Sequence, residues 1–414
     1  MAASIYLATP WFEDLSKAVG LWLAGYLIGF IAIVPGFMNA FVLVALTFDR
    51  RPGHIQTLTY PPVTILVAAY NEEDCIEDTL RSIYAQDYPG ELQIVVINDG
   101  SVDHTSTRIK RLDGHIDHLK FISLGVNQGK SSALNIGLSQ STTDLIISVD
   151  ADCYLLHNSI RNLVERYLSD PQNTAAVAGE ILIRNSRENW ITKAQEWDYF
   201  LGIAAVKRIQ SLFHGTLVAQ GAFSLYEKRA IEAVGGWPKT VGEDIVLTWA
   251  LLNAGYRIGH AEDACAFTNC PNTLRKFIRQ RQRWSRGLIE AFKANPSLLF
   301  KPRLSTIYIW WNALFPLLDV AYTIGFIPGI ILALFGYFWI VGPMTLFLLP
   351  AAALLNRVML HASESMFKNQ NLTVRSNTFG FIFYMFAYSL LLQPACVWGY
   401  ITEILSLRKK WGTK

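Results

Sequence analysis

The sequence is poor in the features that staple a small domain or hold a structural metal. Its 414 residues include five cysteines, Cys75, Cys153, Cys265, Cys270 and Cys396, and no Cys-x-x-Cys pair. An odd number without metal-ligand spacing argues against a disulfide framework and against a zinc site, and leaves a reduced cytosolic face as the default. Charge of one sign is scarce as well. A net charge of +3 with no block of Lys and Arg gives no footing for nucleic acid as a partner. Gly125-Val126-Asn127-Gln128-Gly129-Lys130-Ser131 has three residues between its glycines where a P-loop needs four, which excludes an ATPase of that type. Lys130 can still reach a phosphate from the start of a helix expected over Ser131 to Ser139.

Apolar residues, in contrast, are abundant. They make up 51% of the chain and are concentrated outside Tyr60 to Gly259, so the membrane is expected to bracket a water-soluble α/β middle. Val19 to Phe48 is almost uncharged, follows Glu13, Asp14 and Lys17, and precedes Asp49, Arg50 and Arg51. It reads as a membrane span, because a signal peptide needs a basic start, a shorter apolar core and a cleavage site. The positive-inside rule puts Arg50 and the chain after it in the cytosol. Pro35-Gly36 is expected to kink this helix or divide it. Ile307 to Gly336, Phe338 to Leu355 and Phe379 to Leu405 each approach the ~20 residues that a membrane helix needs. Asp319 either faces a protein interior or watery cavity at membrane depth, or sits near headgroups on an interfacial segment. Arg357 to Arg375 and the tail Arg408-Lys409-Lys410 are both basic although one apolar stretch separates them, so the side of the C-terminus stays open.

Between the spans, β and α patterns alternate. Strands are expected at Val63 to Val67, Leu92 to Ile97, near Leu119 to Leu124, and at Leu145 to Val149, with a helix from Glu73 to Ala85. Alternation of this kind argues for a mostly parallel sheet, in which ligands bind beyond the carboxyl ends of the strands. Polar clusters stand at those ends. Tyr70-Asn71-Glu72 follows the first strand, Asn98-Asp99-Gly100-Ser101 the second and Asp150-Ala151-Asp152 the fourth. Each alone is compatible with turn or cap chemistry; together they make a ligand site. Asp150 and Asp152 offer hard oxygen ligands suited to Mg²⁺ or Mn²⁺ shared with a diphosphate. Gly242-Glu243-Asp244 opens a helix over about Ile245 to Asn253, where the acids either cap the helix or supply a general base.

A basic amphipathic segment comes next. Leu274, Phe277, Ile278, Leu288, Ile289 and Phe292 share one helical face, while Arg275, Lys276, Arg279, Arg281, Arg283 and Arg286 crowd the rest. Attraction to anionic lipid accounts for most of these cations. Gln280, Arg283 and Trp284 are the exceptions, since a guanidinium fork suits phosphate and an indole face suits a sugar ring.

In their order, Ala69-Tyr70-Asn71-Glu72, Asn98-Asp99-Gly100-Ser101, Gly129-Lys130-Ser131-Ser132-Ala133-Leu134-Asn135, Asp150-Ala151-Asp152, Gly242-Glu243-Asp244 and Gln280 to Trp284 resemble the motifs of the processive family 2 membrane glycosyltransferases. That family includes poly-N-acetylglucosamine, chitooligosaccharide, hyaluronan and cellulose synthases. The likeness runs from Pro62 to Asn295. It is nearest to the poly-β-1,6-N-acetylglucosamine synthases through Ile76 to Leu80 and Arg184-Asn185, with Asp87 to Leu92 and Trp190 to Lys193 closer to chitooligosaccharide synthases. Gln220-Gly221 departs from the usual Ser-Gly of the first branch, and Gly242 stands where that branch often has Thr.

The resemblance implies a GT-A domain, Rossmann-like with a mostly parallel sheet, facing the cytosol of a bacterial inner membrane. It implies segments at 1–51 (membrane), 52–272 (GT-A), 273–306 (interface helices) and 307–414 (membrane). Tyr70, Glu72 and Asp99 would hold uridine, and Lys130 and Arg283 the diphosphate. Asp152 would hold Mg²⁺ or Mn²⁺, with Asp150 near the nucleotide. Asp244 would be the base and Glu243 a neighbouring substrate contact. Trp284 would floor the acceptor sugar, and Gln280 would steady the helix or touch phosphate. The implied partners are a UDP-sugar, a growing polysaccharide, membrane lipid and a small accessory membrane subunit. Two rivals are transfer of a single sugar to a lipid acceptor and a transporter or scaffold whose α/β domain only binds nucleotide.

Overall fold

The computed structural model describes residues 2–48, 53, 59–112, 114–213, 215–342, 350, 353–354, 356–358, 360–361, 367–368, 370–373 and 375–407. Among the described residues, eight strands form one sheet: β1 (Val63–Ala69), β2 (Leu92–Asn98), β3 (Leu119–Ser123), β4 (Leu145–Asp150), β5 (Tyr154–Leu155), β6 (Thr174–Ile183), β7 (Phe223–Glu227) and β8 (Arg257–Thr268). Their order is β3-β2-β1-β4-β7-β6-β8-β5. β1 lies parallel between β2 and β4, whereas β7 runs antiparallel to both β4 and β6.

The central strands read as continuous apolar runs because both faces of the sheet are covered. Side chains alternate across it: Leu66, Val95 and Ile146 pack with Ala133 and Leu134 on one face. Ile65, Val67, Ile94, Val96, Ile147 and Val149 pack with Ile76, Leu80 and Ile83 on the other. Register then sets the site. Ala69 pairs with Asn98 and Ala68 with Asp150, so the residues after β1 and β2 and the last residue of β4 emerge at one edge. Strand order reverses there, which leaves a crevice between β1 and β4. The fold is GT-A, mostly parallel and Rossmann-like.

Among the described residues, three helices are long and apolar enough to cross a membrane: Leu21–Thr47, Thr306–Leu334 and Thr378–Ile404, of 27, 29 and 27 residues. The expected break at Pro35 takes the form of a π-helical turn, Gly29–Ile33, immediately before Val34–Thr47. A proline lacks the N–H for its carbonyl four residues back, and a wider turn accommodates it. Tyr322–Phe326 does the same ahead of Pro328. An additional helix, Ala2–Val19, precedes the first span and is separated from it by Gly20 at φ 85°. The expected span Phe338 to Leu355 falls largely outside the described residues. Asp49, Arg50, Arg51 and Arg408-Lys409-Lys410, on which the expected sidedness rested, lie outside them too.

The basic segment is one helix, Leu274–Ala294, capped by the Thr273 hydroxyl. Arg275, Lys276 and Arg279 are exposed, as lipid docking requires. Arg286 is not. Its guanidinium is buried 3.2 Å from Glu403 of the last membrane helix and donates to the Leu407 carbonyl at 2.9 Å. Arg281 is buried as well, 2.8 Å from Asp198. Both were grouped by sequence with the cations drawn to lipid; both instead tie this helix to the rest of the protein.

Candidate active site

A cavity of about 960 Å³ opens beyond the carboxyl ends of β1 and β4. Of the eleven residues expected to hold substrate or metal or to act as base, nine line it: Glu72, Lys130, Asp150, Asp152, Glu243, Asp244, Gln280, Arg283 and Trp284. Tyr70 and Asp99 lie outside that lining. Tyr70 is exposed at the end of β1. Asp99 is buried and accepts the backbone N–H groups of Gln128 and Gly129, each at 2.8 Å, so both its oxygens hold the loop that leads into Lys130. Gly100, at φ 71°, is required beside it: a Cβ there would sit 2.6 Å from the Asn127 nitrogen.

Lys130 begins the helix Lys130–Gln140, and its ammonium reaches Asp150 and, at 3.4 Å, Glu243. Gly221 leaves the space for it, since a Cβ there would meet Nζ at 2.7 Å. Burial would lower the Lys130 pKa, but the Asp150 and Glu243 carboxylates override that and hold it above its ordinary value. Burial, then repulsion from Asp150 and Glu72, pushes Asp152 up to about 7. Burial also raises Glu243 to about 7, against the pull of Lys130. The crevice is therefore crowded with carboxyls. Among the described residues no three His, Cys, Asp or Glu side chains are placed to hold a metal ion by themselves.

Asp244 sits in the first turn of the helix Glu243–Ala254. Its Oδ1 accepts from Ile245 N–H at 2.8 Å and its Oδ2 faces Gly221 N–H at 3.4 Å. Across from it the Leu274–Ala294 helix presents Gln280, Arg283 and Trp284. Gln280 Oε1 and Arg283 Nε are buried with no hydrogen-bond partner among the described residues. The Trp284 ring rests on the Arg281 guanidinium, 4.2 Å from its centroid, and leans on Tyr199 at 6.1 Å.

Other lining residues went unread in sequence. Lys207 is buried, its ammonium bonded to the Gln220 side-chain oxygen, and burial lowers its pKa to about 8 against the attraction of Glu180. The available signal was the cation pair Lys207-Arg208 within the otherwise apolar run Ile203 to Ile209. Farther in, the lining passes to the membrane helices through Asn312, Asp319, Gln393 and Tyr400. Asp319 is buried and accepts the Tyr400 hydroxyl at 2.8 Å, which favours the interior alternative over the headgroup one.

The family model for glycosyl transferase family 2 matches residues 64–235. The chain is 32% identical over 292 residues to a poly-beta-1,6-N-acetyl-D-glucosamine synthase of Staphylococcus aureus (strain MSSA476), covering 68% of this chain and 70% of that one. It is 33% identical over 248 residues to the Staphylococcus epidermidis protein of the same name, covering 60% and 59%. A mannosyltransferase from Pyrobaculum calidifontis, solved with GDP-Man and Mn²⁺, shares the fold with a TM-score of 0.63 at 18% identity, over 93% of this chain and 100% of that one. By this identity, and by the motif-bearing cavity beside helices long enough to cross a membrane, the chain belongs to glycosyl transferase family 2 and is a membrane glycosyltransferase.

Proposed function

We propose that the chain is an inverting, processive transferase that extends a β-linked polysaccharide from a UDP-sugar, with N-acetylglucosamine as the sugar, and feeds the product through its own membrane helices. One observation carries the reading. A single cavity joins the carboxylates at the sheet edge to Trp284 and then to Asn312, Asp319, Gln393 and Tyr400 among the membrane helices. A transferase that adds one sugar needs the first part alone. The relatives named for poly-N-acetylglucosamine synthesis support the choice of sugar.

In this reading uridine lies by Tyr70 and Glu72 at the end of β1, with Asp99 setting the neighbouring loop. Lys130 and Arg283 bring positive charge to the diphosphate, Lys130 exchanging a carboxylate partner for phosphate oxygens. Asp244 takes the proton from the acceptor hydroxyl as that oxygen attacks the anomeric carbon. The new C–O bond forms opposite the bond to UDP that breaks, so the centre inverts and UDP leaves with the electron pair. Trp284 floors the acceptor ring, Gln280 offers an amide at the phosphate side, and Glu243 balances Lys130 beneath the donor.

Asp152, with Asp150 beside it, would hold Mg²⁺ or Mn²⁺. The fit rests on buried, crowded carboxyls: a dication would offset the burial and the repulsion that together raise Asp152, and diphosphate oxygens would complete a ligand set that the described residues alone leave short. When bound, the ion neutralises charge on the departing diphosphate. Residues 52–272 form the cytosolic catalytic unit, 273–306 the interface, and 1–51 and 307–414 the membrane parts, in a bacterial inner membrane with lipid and a small accessory subunit as partners. Product sizing tests the reading: polymer from purified protein and UDP-N-acetylglucosamine supports it, and a glycolipid carrying one sugar overturns it in favour of single transfer.

A further inference from the structure

The Leu274–Ala294 helix presents two stripes. Gln280, Arg283, Gly287 and Glu290 recur at three- and four-residue spacing on one of them, and Gln282, Arg286 and Lys293 on another. A glycine inside a helix costs about 1 kcal/mol relative to alanine, so Gly287 needs a packing reason. The reason is Gly242. A Cβ on Gly287 would lie 2.9 Å from Gly242 Cα, and a Cβ on Gly242 would lie 2.5 Å from Gly287 Cα. Three residues farther along, the buried Glu290 Oε2 accepts the Gly242 N–H at 2.9 Å. Gly242 is the residue before Glu243-Asp244, so the acid-bearing turn is seated backbone to backbone on the helix that carries Arg283.

The other stripe is fixed to the membrane. Glu403 pairs with Arg286 at 3.2 Å and with Lys293 at 3.1 Å, and a Cβ on Gly399 would run into Ser285 Oγ and the Gln282 carbonyl. The helix is thus clamped between the last membrane helix and the Gly242 turn. It cannot retreat from an added methyl at position 287, and the turn must absorb the shift.

We infer that Gly287 and Glu290 are positioning residues for sugar transfer: they seat the Gly242 turn and thereby fix Asp244 opposite Arg283 and Trp284. The inference rests on the reading of Asp244 as the base. It also accounts for glycine at 242, where a side chain would have no room.

The test uses the full-length protein in detergent, with Gly287→Ala, Glu290→Leu and Glu290→Gln. It reads kcat for transfer and, separately, the affinity for UDP by titration calorimetry. Displacing a catalytic group by about 1 Å costs on the order of 10²-fold, and that loss of kcat is expected for Gly287→Ala and Glu290→Leu. UDP affinity should stay within about twofold, which reports an intact fold and donor site. Glu290→Gln keeps an acceptor oxygen for Gly242 N–H and should outperform Glu290→Leu by about tenfold. A Gly287→Ala enzyme at the wild-type rate, a loss of UDP affinity in step with kcat, or a Gln variant as slow as the Leu variant overturns the inference. Failure of the underlying reading looks different: wild-type protein that transfers from no UDP-sugar, or an Asp244→Asn enzyme at full rate.

Discussion

The Arg281 guanidinium lies 2.8 Å from the Asp198 carboxylate and 4.2 Å from the centre of the Trp284 ring, inside the protein. Asp198 opens the π-helical stretch Asp198–Ala204 and also accepts the Tyr388 hydroxyl at 3.0 Å. One cation therefore joins the catalytic domain, the interface helix and a membrane helix. Removing one partner of a buried pair strands the other charge, at about 3–5 kcal/mol. Arg281→Met is expected to lower the unfolding temperature markedly and to weaken acceptor use through a loosened Trp284. Thermal unfolding followed by tryptophan fluorescence checks this, and an unchanged midpoint would show the pair to be idle.

Stability should fall as the pH rises towards 7, before metal is added. Glu243 is held at about 7 by burial, against an ordinary value of 4.5. Below the lower value it is protonated folded or unfolded, and between the two only the folded chain keeps the proton. The stability this contributes, on the order of 3 kcal/mol, is lost as the pH passes through about 7. Asp152 acts in the same direction. Glu243→Gln should therefore flatten part of the slope between about pH 5 and 8, measured by thermal unfolding in chelator. Parallel curves for the two proteins would contradict the burial argument.

Divalent cation should restore what high pH removes. Stripping metal with EDTA is expected to abolish transfer, and Mg²⁺ or Mn²⁺ to recover it. Thermal stabilisation by the ion should be larger at pH 8 than at pH 5.5, because Asp152 changes from protonated to free between them, at about 7, and should vanish in Asp152→Asn. Equal stabilisation in Asp152→Asn would move the metal elsewhere.

Much of this was legible in the chain. β1, β2 and β4 are buried on both faces, so each reads as an apolar run, and the polar residues that follow must lie at the sheet edge. The helices after Gly129 and Gly242 announce themselves by residues that start helices. What stayed hidden depends on distance in the chain. Arg286 reads as a lipid-facing cation because its partner, Glu403, lies 117 residues away. Asp99 reads as a ligand, since a carboxylate after a strand gives no sign that both its oxygens serve the Gln128 and Gly129 amides. The antiparallel β7 is a five-residue strand between β4 and β6, set by pairing rather than by any periodicity of its own. Gly242 looked like a departure from the family pattern until Gly287 supplied its reason.

In the proposed mechanism Asp244 drives inverting transfer within this cavity. The most direct measurement incubates purified wild-type and Asp244→Asn protein with a UDP-sugar and Mg²⁺ or Mn²⁺, following UDP release and the anomeric configuration of the product by NMR. A β-linked product is expected from the wild type, and a rate lower by about 10²- to 10⁴-fold in the variant, the contribution of a positioned general base. An α-linked product, or a variant that transfers sugar at the wild-type rate, would contradict it.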